Sequence, residues 1–288
     1  MYEVIFLLVV ASLWIIFATV QDLKKREIAN WLNFSLIVFI LGFRLFYCLF
    51  SKTNQGFSFF YQGLIGLGIF FLLGNFLYYG RMFAGGDAKL MIALGVVLPF
   101  STNFSVNLQI FLLFFFIFLF IGASYGLIVS MVLSLKNFRK FKKEFLKRLK
   151  KNRKIIYVLM FLGLLLIILG FLETLLFILG FFIFILPYFY LYAKTIEEVC
   201  MVKTINTQKL TEGDWLYEDV KVRGKYIKAI WDGLTKEQIK QIRSKYKKIK
   251  IKEGIPFTPV FLISFAILIF LYYSGYLNFL TDFFGIFI

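Results

Sequence analysis

Eight stretches of apolar sequence, bounded by charge, glycine or polar turns, constrain this chain more than any other feature. A helix needs about 20 mostly apolar residues, roughly 17–25, to cross a bilayer. Residues 3–21, 31–50, 58–80, 106–135, 155–172, 174–193 and 257–275 meet or nearly meet that length. The remaining stretch, 88–100 (AKLMIALGVVLPF), is shorter, beginning after Gly85-Gly86-Asp87 and ending near Pro99. Alone it reads either as a re-entrant segment or as a short, deep helix. Of the 288 residues 60% are apolar and 21% aromatic, against roughly 45–50% apolar in an ordinary globular domain. A soluble single domain is all but excluded. The 4 Pro and 21 Gly, without a repeat, also rule out collagen-like and low-complexity classes.

Charge decides the topology. If 88–100 crosses, loops 22–30, 81–87, 136–154 and 194–256 all fall on one side, and with Lys89 that side holds 31 of the 33 Lys and Arg residues. Only Arg44 and Lys52 lie toward the other face. The positive-inside rule then makes the charged loops cytoplasmic and places both termini outside. Without that crossing, 22–30 and 136–154 would fall on opposite faces, against the rule. The expected architecture is an all-α polytopic membrane bundle of about eight transmembrane helices in the cell membrane. The amino-terminal stretch has Glu3 and no basic residue before its apolar run, so it reads as a retained helix rather than a secretory signal.

The net charge of +17 therefore marks a membrane face rather than a nucleic-acid site. Segment 136–154 (KNFRKFKKEFLKRLKKNRK) repeats Phe138, Phe141, Phe145 and Leu149 at helical spacing. It is expected to extend the fifth helix along the membrane surface, attracted to anionic headgroups by about 1 kcal/mol per basic residue. Residues 194–256 suggest a small cytoplasmic α/β module. Asp214–Ile227 alternates like strands, Thr235-Lys-Glu-Gln238 is a capping box, and Ile239, Ile242, Tyr246 and Ile249 form the stripe of a following helix. Lys247–Lys252 reads as a closing strand. The expected divisions are a catalytic membrane core at 1–135, the basic surface segment 136–154 and a transmembrane hairpin at 155–193. The module 194–256 follows, then a last helix with an external tail at 257–288.

The chain has no histidine, which removes Ser-His-Asp triads, Cys-His pairs and HExxH zinc sites. Cys48 and Cys200 are the only cysteines and read as packing residues, so no metal and no cofactor is expected. Acids at a membrane boundary are costly and commonly functional. Outside the basic segment and the module they are Glu3, Asp22, Glu27, Asp87, Glu173 and Asp282. Glu3 and Asp282 lie near the termini, Glu173 in a tight turn, and Glu27 among Lys24, Lys25 and Arg26.

Asp22 and Asp87 remain. Asp22 follows the first helix, at the negative end of its dipole, from which a carboxylate gains nothing; it is either a plain interfacial residue or a functional one. Asp87 precedes a helix, so it is either an N-cap or a reactive group. Gly85 and Gly86 beside it are either a hinge or a gap that lets a peptide backbone approach the carboxylate. Both acids lie at the cytoplasmic mouth of the expected bundle. Two nearby carboxylates share a proton, one acting as base on a water while the other polarises a carbonyl. Such peptide hydrolysis needs neither His, Cys nor metal.

Asp22-Leu-Lys-Lys-Arg-Glu-Ile-Ala-Asn30 and Gly85-Gly86-Asp87-Ala-Lys-Leu90 resemble the two signatures of type IV prepilin peptidases, membrane aspartyl proteases of the GxGD class. Gly254-Ile-Pro-Phe-Thr-Pro-Val260 resembles the family's carboxy-terminal segment. The resemblance implies that Asp22 and Asp87 are the catalytic pair and that Lys89 and Leu90 belong to the second motif. Ala84 replaces the first Gly of GxGD, and Ala29 stands where the family often has Pro. The short, cysteine-free loop 22–30 lacks the zinc loop of bacterial members, so N-methyltransferase activity is not expected. The chain is more similar to the archaeal, preflagellin peptidase branch, whose substrates are pilin-like or archaellin precursors. Two other classes stay open on the residues alone: a cation- or proton-coupled transporter using Asp22 and Asp87, and an inert assembly scaffold.

Overall fold

The computed structural model describes residues 2–50, 56–222, 224–231 and 233–275. Lys52, Asp282 and the tail from residue 276 lie outside them. The described chain forms two compact units, one made of the described parts of 1–126 and 255–288, the other of 127–254. The boundary falls inside a helix, after Gly126.

The first unit contains α1 (Tyr2–Lys25), α2 (Asn30–Phe50), α3 (Ser58–Tyr79), α4 (Gly85–Gly95), most of α5 (Phe104–Lys136) and α10 (Thr258–Tyr273). Leu7, Ala11, Ile15 and Ala18 put one face of α1 into the core at i, i+4 spacing, while Phe6, Leu13 and Phe17 face outward. An exposed apolar face is the reverse of what water selects and suits a lipid environment. Among the described residues five helices are long and apolar enough to cross a membrane, or six if the bent pair Phe138–Lys151 and Arg153–Leu169 counts as one span. The protein is a mostly helical membrane protein.

Helix α4 is the exception in length. Its 11 residues reach only about 16 Å at 1.5 Å per residue, and the chain continues through Val96–Leu98 as buried, non-helical backbone. The stretch 88–100 was expected as one helix; it stops at Gly95. Backbone out of helix at membrane depth survives only where protein partners satisfy it. Fully buried Arg44 of α2 does this. Its Nε donates to the Val96 carbonyl at 3.0 Å, Nη2 to Pro99 at 2.6 Å and Val97 at 3.4 Å, and Nη1 to the Phe59 carbonyl at 2.8 Å. The guanidinium also lies 4.2 Å from the centroid of the Phe59 ring.

Close backbone contact holds α4 against α3. A Cβ on Gly66 would collide with the Gly95 carbonyl oxygen, and one on Gly74 would fall 2.7 Å from Ile92 Cγ1. Small residues that let backbones approach in this way are the common means of helix association in lipid. Gln62 of α3 accepts from Asn107 of α5 at 2.9 Å, so the buried amides there are paired.

The second unit begins with the remainder of α5, followed by α6 (Phe138–Lys151), α7 (Arg153–Leu169) and α8 (Thr174–Cys200). The basic segment was expected to continue α5, but the helix breaks at Asn137, and α6 meets α7 at a bend of 76°. Gly163 and Gly180 bring α7 and α8 into contact, each standing where a Cβ would meet the other's carbonyl oxygen at 2.9 and 2.8 Å. Beyond α8 lie β1 (Val202–Asn206), β2 (Trp215–Leu216), β3 (Val220–Val222), β4 (Lys225–Ile227), α9 (Lys236–Arg243) and β5 (Lys248–Lys252). The order β1-β5-β2 makes an antiparallel sheet, and β3 pairs with β4. Lys248-Ile249-Lys250-Ile251 alternates between exposed and buried, as a one-sided strand must. Thr235 caps α9 with both halves of the capping box. The helix ends at Arg243, so Ile249 belongs to β5 rather than to the helical stripe expected for it.

Replacing Arg44 by Met should orphan several buried carbonyls and destabilise the protein by on the order of 3 kcal/mol. Arg44→Lys should recover only part, because an ammonium cannot span the same set of acceptors. Unfolding titrations in detergent would check this, and a change under about 0.5 kcal/mol for Met would contradict it.

Candidate active site

Asp22 lies within the last turn of α1, not beyond it as expected, and is only 7% exposed. The Arg26 N–H donates to the Asp22 carbonyl at 2.7 Å, and Arg26 closes the helix with a φ of 57°, a left-handed helix end. The Asp22 side chain finds its partner 236 residues away. Its Oδ2 accepts from the Thr258 hydroxyl at 2.9 Å and from the Thr258 backbone N–H at 3.2 Å. Thr258 is the first residue of α10. A carboxylate misplaced at the negative end of α1 is therefore set at the positive end of α10, against an amide that has no partner within its own helix.

Asp87 is in the first turn of α4. The N-cap is Ala84, so Asp87 lies inside α4 rather than ahead of it, and the N-cap alternative does not hold. From the third helical position its carboxylate reaches back to the Ala84 backbone, one half of a capping box. Asp22 at the end of α1 and Asp87 at the start of α4 are close enough to feel each other's charge. Tyr125 of α5 is also within reach of Asp22, and its hydroxyl donates to the Pro256 carbonyl at 2.9 Å, tying down the chain that enters α10.

The glycines differ from each other. Gly86 is packed, since a Cβ there would sit 3.3 Å from Ile28 Cβ. Gly85 has only the Tyr78 ring edge at 3.8 Å and is the more open of the two. Lys89 does not turn to the acids; its ammonium donates to Asn30 Oδ1 at 2.7 Å, joining α4 to the start of α2. Asn30 closes the first resembled motif, so this bond ties the two motifs together. Gln21 next to Asp22 accepts from the Ala29 N–H at 3.2 Å and orders the turn between α1 and α2.

Phe83, Phe118, Phe257 and Phe261 pack against one another at centroid distances of 4.7 to 6.4 Å. Phe83 lies four residues before Asp87 and Phe257 immediately precedes Thr258, the partner of Asp22, so an aromatic cluster underlies the ends of α4 and α10. In such surroundings interactions between charges are strong. Among the described residues no three Cys, Asp or Glu side chains converge to hold a metal ion. A pair of carboxylates in this setting can hold one proton between them and act as base and acid.

Thr258 is the site residue that the sequence did not single out. It lies inside the segment 254–260, but only the folded contact shows its bond to Asp22.

The arrangement of α1 to α5 has relatives. Residues 9–127 match the sequence model of the Type IV leader peptidase family. A preflagellin peptidase of Methanococcus maripaludis is 32% identical over 91 residues, covering 32% of this chain and 38% of that protein. A preflagellin peptidase of Methanocaldococcus jannaschii is 29% identical over 91 residues, covering 32% of this chain and 37% of the relative. Over these regions the chain is similar to the Type IV leader peptidase family and to archaeal preflagellin peptidases. The alignments span less than two fifths of either relative's length. No solved structure matches.

Thr258→Val removes one of two donors to a buried carboxylate and should cost about 1.5–3 kcal/mol. Thr258→Ser keeps the hydroxyl and should cost less than half of that. Unfolding in detergent would distinguish them; equal losses would mean that the methyl group, not the hydrogen bond, matters.

Proposed function

We propose that this protein is a membrane aspartyl endopeptidase that removes the short basic leader of pilin-like or archaellin precursors at the cytoplasmic membrane face. The observation that carries the reading is the placement of the two acids, Asp22 held at the amino end of α10 by Thr258 and Asp87 in the first turn of α4, each in the other's field. The names of the two relatives and the family match over 9–127 support a leader peptidase role.

In this mechanism one carboxylate is ionised and the other protonated. The ionised acid takes a proton from a water whose oxygen attacks the scissile carbonyl carbon, while the protonated acid gives its proton to the carbonyl oxygen. The acid that is now protonated gives its proton to the departing amine nitrogen while the ionised acid takes a proton from a diol hydroxyl. The C–N bond breaks to leave a carboxylic acid and an amine, and the pair again holds one proton. Thr258 is a positioning residue that fixes the Asp22 carboxylate for this exchange.

The topology that serves the reaction has eight spans, with α4 and the buried turn after it as the fourth crossing and both termini outside. The charged loops then face the cytoplasm, where the leader lies. The basic helix α6, with Phe141 and Phe145 stacked at 5.7 Å, rests on anionic headgroups beside that face. The domains follow as a catalytic core of α1 to α5 with α10, and an accessory module at 194–256.

Cleavage of a tagged precursor by membranes holding matched amounts of wild type, Asp22→Asn and Asp87→Asn is the direct test. Asn preserves size but cannot act as the base. Each variant should lose at least about a thousandfold in rate, and the wild-type pH profile should be bell-shaped, because the pair works only with one proton. Wild-type rates from either variant would sink the mechanism.

A further inference from the structure

A groove of about 790 Å3 runs between α2, α3 and α4. Ile37, Leu67 and Phe71 contribute to its apolar walls, and it ends at Gly85, on the helix that carries Asp87. Asn33 of α2 lines the same groove. It is 1% exposed, its Nδ2 makes one long bond of 3.5 Å to the Gly86 carbonyl, and its Oδ1 has no partner. An amide oxygen can accept two hydrogen bonds, and leaving it bare in an apolar bundle is costly. Flipping the amide would set Oδ1 against the Gly86 oxygen, so the vacancy is not an error of assignment.

We propose that the groove receives the amino end of a substrate's apolar helix and that Asn33 is the residue that sets its register, by accepting a backbone N–H. The inference rests on the peptidase reading and gives it a substrate subsite. A precursor cut just before its apolar helix brings to the site a helix start, whose first four N–H groups lack partners within the helix. A vacant acceptor beside the glycine turn complements those donors, whereas a lipid acyl chain offers none. Rotation about the Asn33 χ2, a broad torsion, gives up the long Gly86 bond and turns Oδ1 toward the groove. Gly68 lines the groove as well, with nothing within 4 Å of where its Cβ would point. A side chain there would enter the groove without disturbing the packing.

Two variants of the full chain test this in vesicles with a single-helix precursor. Asn33→Leu removes the acceptor at similar volume, and Gly68→Phe fills the groove. Each should raise KM roughly tenfold with unfolding midpoints near wild type. Asn33→Leu should also scatter the cleavage position, which a purely structural defect would not do. A benzophenone side chain replacing Phe71 in an Asp22→Asn background should capture the precursor on illumination, and Gly68→Phe should abolish that capture. Unchanged KM and a single cleavage site in both variants would overturn the subsite while leaving the peptidase intact, the groove then being lipid-filled. If wild type cleaves no precursor, the peptidase reading fails, and the capture experiment still decides the groove: absence of capture overturns it.

Discussion

In a layer without water each backbone group must find its partner in the protein, and the guanidinium of Arg44 meets that need where the helical ladder of α4 stops. Four carbonyls, three of them from the turn after α4, converge on one buried side chain. That contact lets α4 be short. A short α4 can lie backbone to backbone on α3 through Gly66 and Gly95, and its amino end carries Asp87. The Arg44 cation and the Asp87 carboxylate thus serve the carboxyl and amino ends of the same short helix.

The acids follow the same electrostatic rule with the opposite sign. Asp22 accepts from the first amide of α10 and Asp87 reaches the cap of α4, so each negative group sits where a helix offers unpaired N–H groups. Neither position is decided by its own helix alone, since Asp22 stands at the unfavourable end of α1. Low-polarity surroundings of this kind are what the acid–base work of the proposed mechanism needs.

Much of the membrane part was legible in the sequence because lipid exposure and helix length leave a simple trace. The apolar runs 3–21, 31–50 and 58–80 became α1, α2 and α3 with ends displaced by four residues or fewer. The two acids stood out because each was a charge at a helix end, Asp22 at an unfavourable one and Asp87 beside a pair of glycines. The misses share a cause, which is dependence on distant partners. Nothing local says that Asp22 belongs to α1's last turn, because the stabilising donor is Thr258, far along the chain. Nothing near Arg44 says that it caps another helix, and the vacancy at Asn33 exists only once α2, α3 and α4 have met. In the module Ile249 fits a helical stripe equally well by spacing, but sheet pairing with β1 through Ile205 fixes it in β5.

The central claim is that Asp22 and Asp87 form one site, and proximity in the membrane tests it most directly. With Cys48 and Cys200 replaced by Ser, the pair Asp22→Cys and Asp87→Cys would be treated in native membranes with a short bifunctional thiol reagent. Asp22→Cys with Thr258→Cys serves as the positive control. Efficient cross-linking of the Asp-position pair, comparable to the control, is the predicted result. Cross-linking of the control with none between positions 22 and 87 would contradict the account.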